Sequence, residues 1–293
     1  MRAPYSYRVN SAARNIRWKR RRSGKAVVVL CDATEESVYG RKAVRFAQTS
    51  NAGLPIPVAL AFPFTFVEAI TYGSPGPRYL LDWVSKTVSA PVAVRSSSMD
   101  DFLDISGLNR RHPERLNIRT LVEVIDAIKS IWHEFHAGEA MLMRRQMGFT
   151  ETPRVAVIIQ EMVFADVAGL LFTRDPLTGL EEAVIEACWG HEEAVTAGLT
   201  EPDRYKVARD GTVLHSSAGN KDGAIRFYEC GMFQTVIGEE KSHALCLNKR
   251  QIGRLNQIAL KCEKVFGKAQ VIEWAIAGKR VYILQRSPVE RGV

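Results

Sequence analysis

The stretch from Arg154 to Tyr205 constrains this chain more than any other. It reads RVAVIIQEMVFADVAGLLFTRDPLTG and continues, after three residues, as AVIEACWGHEEAVTAGLTEPDRY. Short apolar runs bounded by turn formers read as strands rather than helices. Asp175-Pro176 and Thr178-Gly179 supply the turn chemistry between two such runs. An apolar strand, a Thr-Arg-Asp-Pro turn, a Glu-bearing strand and a Trp-Gly loop thus follow in fixed order. The pattern predicts strands at 155–162, 169–172, 182–187 and 206–207.

Elsewhere strand and helix signals alternate, which predicts an α/β or α+β class. KAVVVLCD reads as a buried strand. RKAVRFAQTSNAGLPIP reads as a helix opening near Gly40 and closing with Gly53 at C′, where Pro55 blocks continuation. PVAVRSSS reads as a strand ending in a polar loop. The spacing of Leu121, Val124, Ile125, Ile128, Ile131, Trp132 and Phe135 predicts one amphipathic helix over 121–147. A further helix is expected at 249–266, followed by QVIEWAI and RVYILQ as a hairpin around Ala-Gly-Lys. With 293 residues, 46% of them hydrophobic, the chain can bury one large or two moderate cores. The expected division is a tail at 1–25, a first lobe at 26–150 and a second at 151–293.

The net charge of +8 belongs entirely to the tail: residues 1–25 carry nine Lys or Arg and no acid, and the rest carries 31 basic and 32 acidic residues. This segment reads as a solvated terminus. Its Arg/Ser content is like that of a transit peptide, while thin aromatic interleaving argues against a nucleic-acid arm. Five cysteines without CxxC spacing support neither a disulfide framework nor a zinc site, so a reducing, cytoplasmic compartment is expected. The longest apolar runs fall far below the roughly 20 residues a bilayer needs, and no membrane partner is expected.

Several segments carry a resemblance to a known family. These are Gly40-Arg41-Lys42 followed by Ala52-Gly53-Leu54-Pro55-Ile56-Pro57, the run Val92-Ala93-Val94-Arg95-Ser96-Ser97, Phe172-Thr173-Arg174-Asp175-Pro176, Ile185-Glu186-Ala187-Cys188-Trp189-Gly190, Gln270-Val271-Ile272-Glu273-Trp274, and Leu284-Gln285 before Pro288. Together they resemble the ATP-binding domain shared by phosphoenolpyruvate synthase, pyruvate phosphate dikinase and rifampicin phosphotransferase, across about residues 38–290. The resemblance implies a two-lobed ATP-grasp fold with a nucleotide cleft between the lobes, and ATP with Mg²⁺ as cofactors. Lys42 matches the family's ATP lysine and Arg95 its phosphate-binding arginine. Gly107 falls near a family glycine loop, and Gln160 matches a nucleotide-binding glutamine. Glu273 and Gln285 match residues that organise metal and triphosphate, with Glu186 and Glu193 as further metal candidates. Arg95 and Arg286 are the expected catalytic cations.

The chain also departs from the family pattern. Glu114 stands where a threonine is usual, Glu192 where a glycine is, Val271 where an aspartate is, and Ser287 where an arginine is. Arg286 is one residue displaced, which strand alternation places on the opposite face unless a bulge restores it. Phosphoryl transfer relies on positioning and charge stabilisation, so these departures weigh more on turnover than on fold. None of the six histidines lies in a segment like the relatives' phosphohistidine motif, so the expected phosphate acceptor is a separate protein or small molecule. Two readings follow: an ATP-dependent phosphotransferase subunit, or a catalytically degenerate nucleotide-binding or interaction module. Metal-dependent ATP affinity separates them.

Overall fold

The computed structural model describes residues 28–29, 32–73, 84, 88–99, 113–196, 198–228 and 231–289. The basic tail and Gly107 lie outside them. Two antiparallel sheets organise the described chain, one per lobe.

In the first sheet β1 (Val28–Val29), β2 (Ala59–Phe62), β5 (Val155–Glu161), β3 (Val92–Ser98) and β4 (Glu114–Ile118) lie in that spatial order. Strand alternation sorts its side chains onto two covered faces. Leu60, Phe62, Val92, Val94, Val157 and Ile159 pack under α2 (Phe64–Thr71) and α3 (Leu121–Phe135). Ala59, Ala61 and Ile158 point the other way, onto Ala43, Phe46 and Ala47 of α1 (Glu36–Asn51). The expected lobe boundary at 150/151 therefore precedes a strand that the first sheet contains. Burial on both faces is what the unalternated run VAVII encodes.

The expected 121–147 helix is two helices, because Ala137 is extended (φ −61°, ψ 143°) between α3 and α4 (Gly138–Gln146). Thr120 and Glu123 form a capping box at the start of α3. Helix α1 closes as its sequence predicts: Gly53 N–H donates to Ser50 O and Leu54 N–H to Thr49 O, a Schellman ending with Gly53 at φ 65°.

The second sheet runs β13 (Arg280–Pro288), β12 (Gln270–Ala277), β6 (Val167–Phe172), β7 (Ala183–Trp189), β8 (Asp203–Val207) and β9 (Val213–Ser217). Ile272, Leu171, Ile185 and Tyr205 stand in one register row on its covered face, beneath Ile252, Leu255, Ala259 and Cys262 of α7 (Lys249–Phe266). The short helices α5 (Glu193–Thr196) and α6 (Glu239–Ser242) and a separate hairpin of β10 (Gly223–Tyr228) and β11 (Gly231–Val236) complete this half. The buried pair Lys221 and Asp203, both 0% exposed, ties β8 to the segment before β10. No described helix is long and apolar enough to cross a membrane.

Candidate functional site

Lys42 sits where α1 is broken and restarted. Gly40 adopts φ 76°, and a Cβ there would lie 2.4 Å from Ser97 O, so only glycine allows helix and strand to approach this closely. Past that break the first-turn N–H of Ala43 donates to Ser97 Oγ at 3.0 Å, across 54 residues of sequence. A strand serine thus supplies the cap that the helix lacks. The expected polar loop after Arg95 is accordingly strand: Ser96, Ser97 and Ser98 pair with Val157, Ala156 and Val155, and all seven residues of β3 are buried. The ladder satisfies the serine backbones and the Ala43 N–H satisfies Ser97 Oγ, while the buried Ser96 Oγ has no hydrogen-bond partner among the described residues.

Arg95 shares the strand face of Ser97 and Ala93, the side on which α1 lies. Its Nε is 3.3 Å from Glu114 Oε2 and its Nη1 3.7 Å from Glu273 Oε2 of the second lobe. Burial alone would lower the Arg95 pKa, but Glu114, Glu273 and Glu192 outweigh it and hold the value above the usual one. Lys42, Arg95 and Gln160 of the first lobe line one narrow crevice together with Gln285 and Arg286 of the second. Its free volume is about 10 Å³, the space of a single water molecule. Gln160 is 3% exposed, in the middle strand and not in solvent.

The uncovered face of the second sheet presents a polar row. Gln285, Glu273, Leu170, Glu186, Arg204 and Ser217 stand opposite one another across six strands. Glu273 and Gln285 are thus direct cross-strand partners. Glu186 is two strands from Glu273, and its carboxylate is held by Arg204 at 2.7 Å on the far side. Glu193 opens α5, where its N–H donates to His191 Nδ1 at 3.4 Å. The nearby carboxylate with most influence on Glu273 is Glu192. Burial first, then the Glu192 charge, raises the Glu273 pKa to about 7, against the pull of Arg95 and Lys42. Glu192 is only 5% exposed and 3.4 Å from His191 Nδ1. His191 is pushed down to about 4 by burial and by Arg95, and stays neutral near pH 7. Spacing gave no warning of this cluster, although Glu114 and Glu192 both stood out as acids at unusual positions.

Val271 and Ser287 face one another two pairs further along, on the side of Glu273. Arg286 instead pairs with the core residue Ile272 and points to the covered face. The sheet does contain a bulge, but at Glu273/Trp274, where it leaves Arg286 on that face. The guanidinium donates to Thr49 Oγ1 (3.1 Å), Gln270 Oε1 (2.5 Å), Gln48 Oε1 (3.2 Å) and Arg45 O (3.4 Å), and lies 3.5 Å over the Phe266 ring. With these donors committed, Arg286 is arranged as a clamp between α1 and the second lobe rather than as a cation for transferred charge. Asp175 is also structural in setting. It accepts from Lys206 Nζ at 2.7 Å and from the N–H groups of Leu177 and Thr178, which lower its pKa to about 2.

Does the acidic pocket suit Mg²⁺? Half-buried Glu273 and buried Glu192 lie near enough that the Glu192 charge helps raise the Glu273 value, and Gln285 adds an amide oxygen across the strand from Glu273. An oxygen-rich site with excess negative charge fits a hard cation. Among the described residues, however, no group of three His, Cys, Asp or Glu side chains is placed to hold a metal by protein ligands alone. Such a cation would depend on water or phosphate oxygens for its remaining coordination.

Comparison with known proteins agrees with the features described above. The family profile for the pyruvate phosphate dikinase AMP/ATP-binding domain matches residues 79–292. That span includes Arg95, Gln160, Glu273 and Gln285, and Lys42 precedes it. A probable phosphoenolpyruvate synthase of Archaeoglobus fulgidus is 30% identical over 200 residues, 68% of this chain and 27% of that protein. Rifampicin phosphotransferase of Bacillus cereus is 32% identical over 199 residues, 67% of this chain and 23% of that protein. The chain thus spans about a quarter of the length of these relatives. Among solved structures, a dinucleotide-forming acetyl-coenzyme A synthetase 1 of Ca. Korarchaeum cryptofilum aligns over 86% of this chain and 95% of its own, at 12% identity and a TM-score of 0.49.

Proposed function

The chain belongs to the family of pyruvate phosphate dikinase AMP/ATP-binding domains, and from that premise we propose that it binds ATP between its lobes and donates a phosphoryl group to a separate acceptor. The observation that carries this reading is the convergence of Lys42, Arg95, Gln160 and Gln285, from four different elements of two lobes, on one crevice.

In this reading Lys42 and Arg95 hold phosphate oxygens, as cations fixed by a helix start and a central strand do well. Arg95 is the catalytic cation, since phosphoryl transfer is accelerated chiefly by charge placed where the equatorial oxygens gather it. Gln160 and Gln285 orient the nucleotide through their amides. Glu273 and Glu192 would hold Mg²⁺, which when bound supplies charge neutralisation between neighbouring phosphates. Opening of the lobes admits the nucleotide, because the crevice itself holds about 10 Å³. Arg286 acts indirectly, fixing α1 and so Lys42 against the second lobe. The acceptor is a separate protein or a small molecule, and the setting is cytoplasmic.

Calorimetric titration of the chain with ATP, with and without Mg²⁺, tests this. The expected result is affinity that strengthens with metal and is weakened by Lys42→Ala and by Arg95→Ala, followed by slow release of ADP or AMP and phosphate. Unchanged affinity in both variants would remove the site assignment. Binding indifferent to metal would favour the non-catalytic module.

A further inference from the structure

A second concave site shares no lining residue with the nucleotide crevice. It is a groove of about 460 Å³ between one face of α7, the turn of the β12–β13 hairpin and the Gly53–Pro55 segment. That volume lies in the range of small-molecule pockets. Arg254 and Lys261, seven residues apart, stand on one face of α7, and Lys279 and Arg280 stand opposite them on the hairpin. Among the described residues, none of those lining the groove is acidic. Outside its tail the chain carries 31 basic and 32 acidic residues, so four cations without an acid are not its average surface.

Two of these cations are held in place by backbone. Arg254 Nη1 donates to Lys279 O at 2.6 Å, and Lys261 Nζ donates to Gly53 O at 3.0 Å. Guanidinium and ammonium groups have more donors than these bonds use, so each keeps capacity for a further acceptor. The floor is apolar: Leu54 is 5% exposed, and half-buried Ile258, Val281 and Tyr282 lie beside it. A cationic rim over an apolar floor suits a phosphate ester better than a free inorganic ion, because the ester fills both parts.

We propose that this groove binds a small organic phosphate, with the phosphate between the α7 and hairpin cations and the ring or acyl part on Leu54, Ile258, Val281 and Tyr282. With no acid among its lining residues the site does not use a divalent cation, which sets it apart from the nucleotide crevice. Its floor touches the strand that serves that crevice: Ile283 N–H donates to Pro55 O at 2.7 Å, two residues before Gln285.

Pyridoxal 5′-phosphate tests the site because it reports where it binds. Its phosphate seeks the cations, and its aldehyde condenses with a lysine ε-amine, losing water; borohydride then reduces the imine to a stable secondary amine. Peptide mapping of the full chain in EDTA should find Lys261 or Lys279 labelled well above exposed Lys249 and Lys268. Phenyl phosphate should protect them, and added Mg²⁺ should change nothing. In Arg254→Gln/Arg280→Gln the labelling should fall about tenfold, the effect of losing charge-assisted contacts. Arg280→Gln alone should give a smaller fall, and it serves if the double variant does not melt like the parent. Labelling no greater than at Lys249 and Lys268, no protection by phenyl phosphate, or equal labelling in a variant with parental melting would each overturn the proposal. Lys42→Ala should leave it unchanged, so the outcome is independent of ATP binding in the crevice.

Discussion

Glu114 and Arg95 stand opposite each other across β4 and β3, with 3.3 Å between Oε2 and Nε. If Arg95 holds phosphate as proposed, a carboxylate here competes for the guanidinium, at a position where the family pattern has threonine. Glu114→Thr should therefore tighten ATP binding roughly threefold to tenfold, about 1 kcal/mol for a partly exposed pair. Calorimetry decides it; weaker binding would show that Glu114 instead positions Arg95 for the nucleotide.

Restoring the other missing group tests the metal assignment. Val271 faces the side of Glu273, two register steps away on the same face. Val271→Asp should strengthen the Mg²⁺-dependent part of ATP affinity by roughly tenfold and leave the metal-free part unchanged or weaker. If both parts change alike, the metal is held elsewhere.

The pH dependence of stability should show two opposed contributions. Glu273 is raised from its usual 4.5 to about 7, so the folded state holds its proton more tightly and the contribution of this group to stability falls as pH rises through that window. His191 is lowered from 6.5 to about 4, so its contribution falls as pH drops from 6.5 to 4. Glu273→Gln should remove the first and leave stability rising with pH between 4 and 6.5. Urea unfolding measured in steps across pH 4–8 separates them. Metal-dependent nucleotide binding should strengthen as pH rises through about 7, where Glu273 ionises.

Arg286→Ala should destabilise the fold by about 2–4 kcal/mol, since it leaves the buried acceptors on Thr49 and Gln270 unpaired and uncovers Phe266. Arg286→Lys should recover only part of this, because an ammonium cannot reach four acceptors and stack at once. Thermal melting reads both. A variant that melts like the parent but loses turnover would assign Arg286 to chemistry after all.

Lys221→Met should cost about 3–5 kcal/mol in urea unfolding by leaving the Asp203 carboxylate buried without its cation. Asp203 also accepts from the N–H groups of Gly219 and Cys246, so the loss should loosen the segments holding both. A change below 1 kcal/mol would mean that these backbone donors alone satisfy the carboxylate.

Local rules made some parts of the fold legible. Gly53 and Pro55 closed α1 where expected, and Gly278-Lys279 is the two-residue loop between Ala277 and Arg280 of the predicted hairpin. Long-range satisfaction decided the parts that local reading missed. Ser96–Ser98 are strand because their backbones pair with β5 and Ser97 Oγ accepts from Ala43 N–H. The helix break at Ala137 interrupts a stretch whose composition is compatible with helix. Strand alternation correctly put Arg286 opposite Ser287, but not the clamp it forms there, whose partners Gln48 and Thr49 lie more than 230 residues away. The hairpin of β10 and β11 went unread because GAIRFY and GMFQTV do not alternate cleanly between apolar and polar residues.

The cap that Ser97 gives to α1 means that Lys42 does not own its position. A peptide carrying only the helix would start with bare amides and leave the lysine pointing anywhere, so the ammonium acquires an address only when β3 has docked beside it. The placement of the Lys42 ammonium at this end of the crevice is thus a by-product of assembling the sheet. Transplanting the helix into another scaffold would move the residue without its placement unless the serine strand travelled with it.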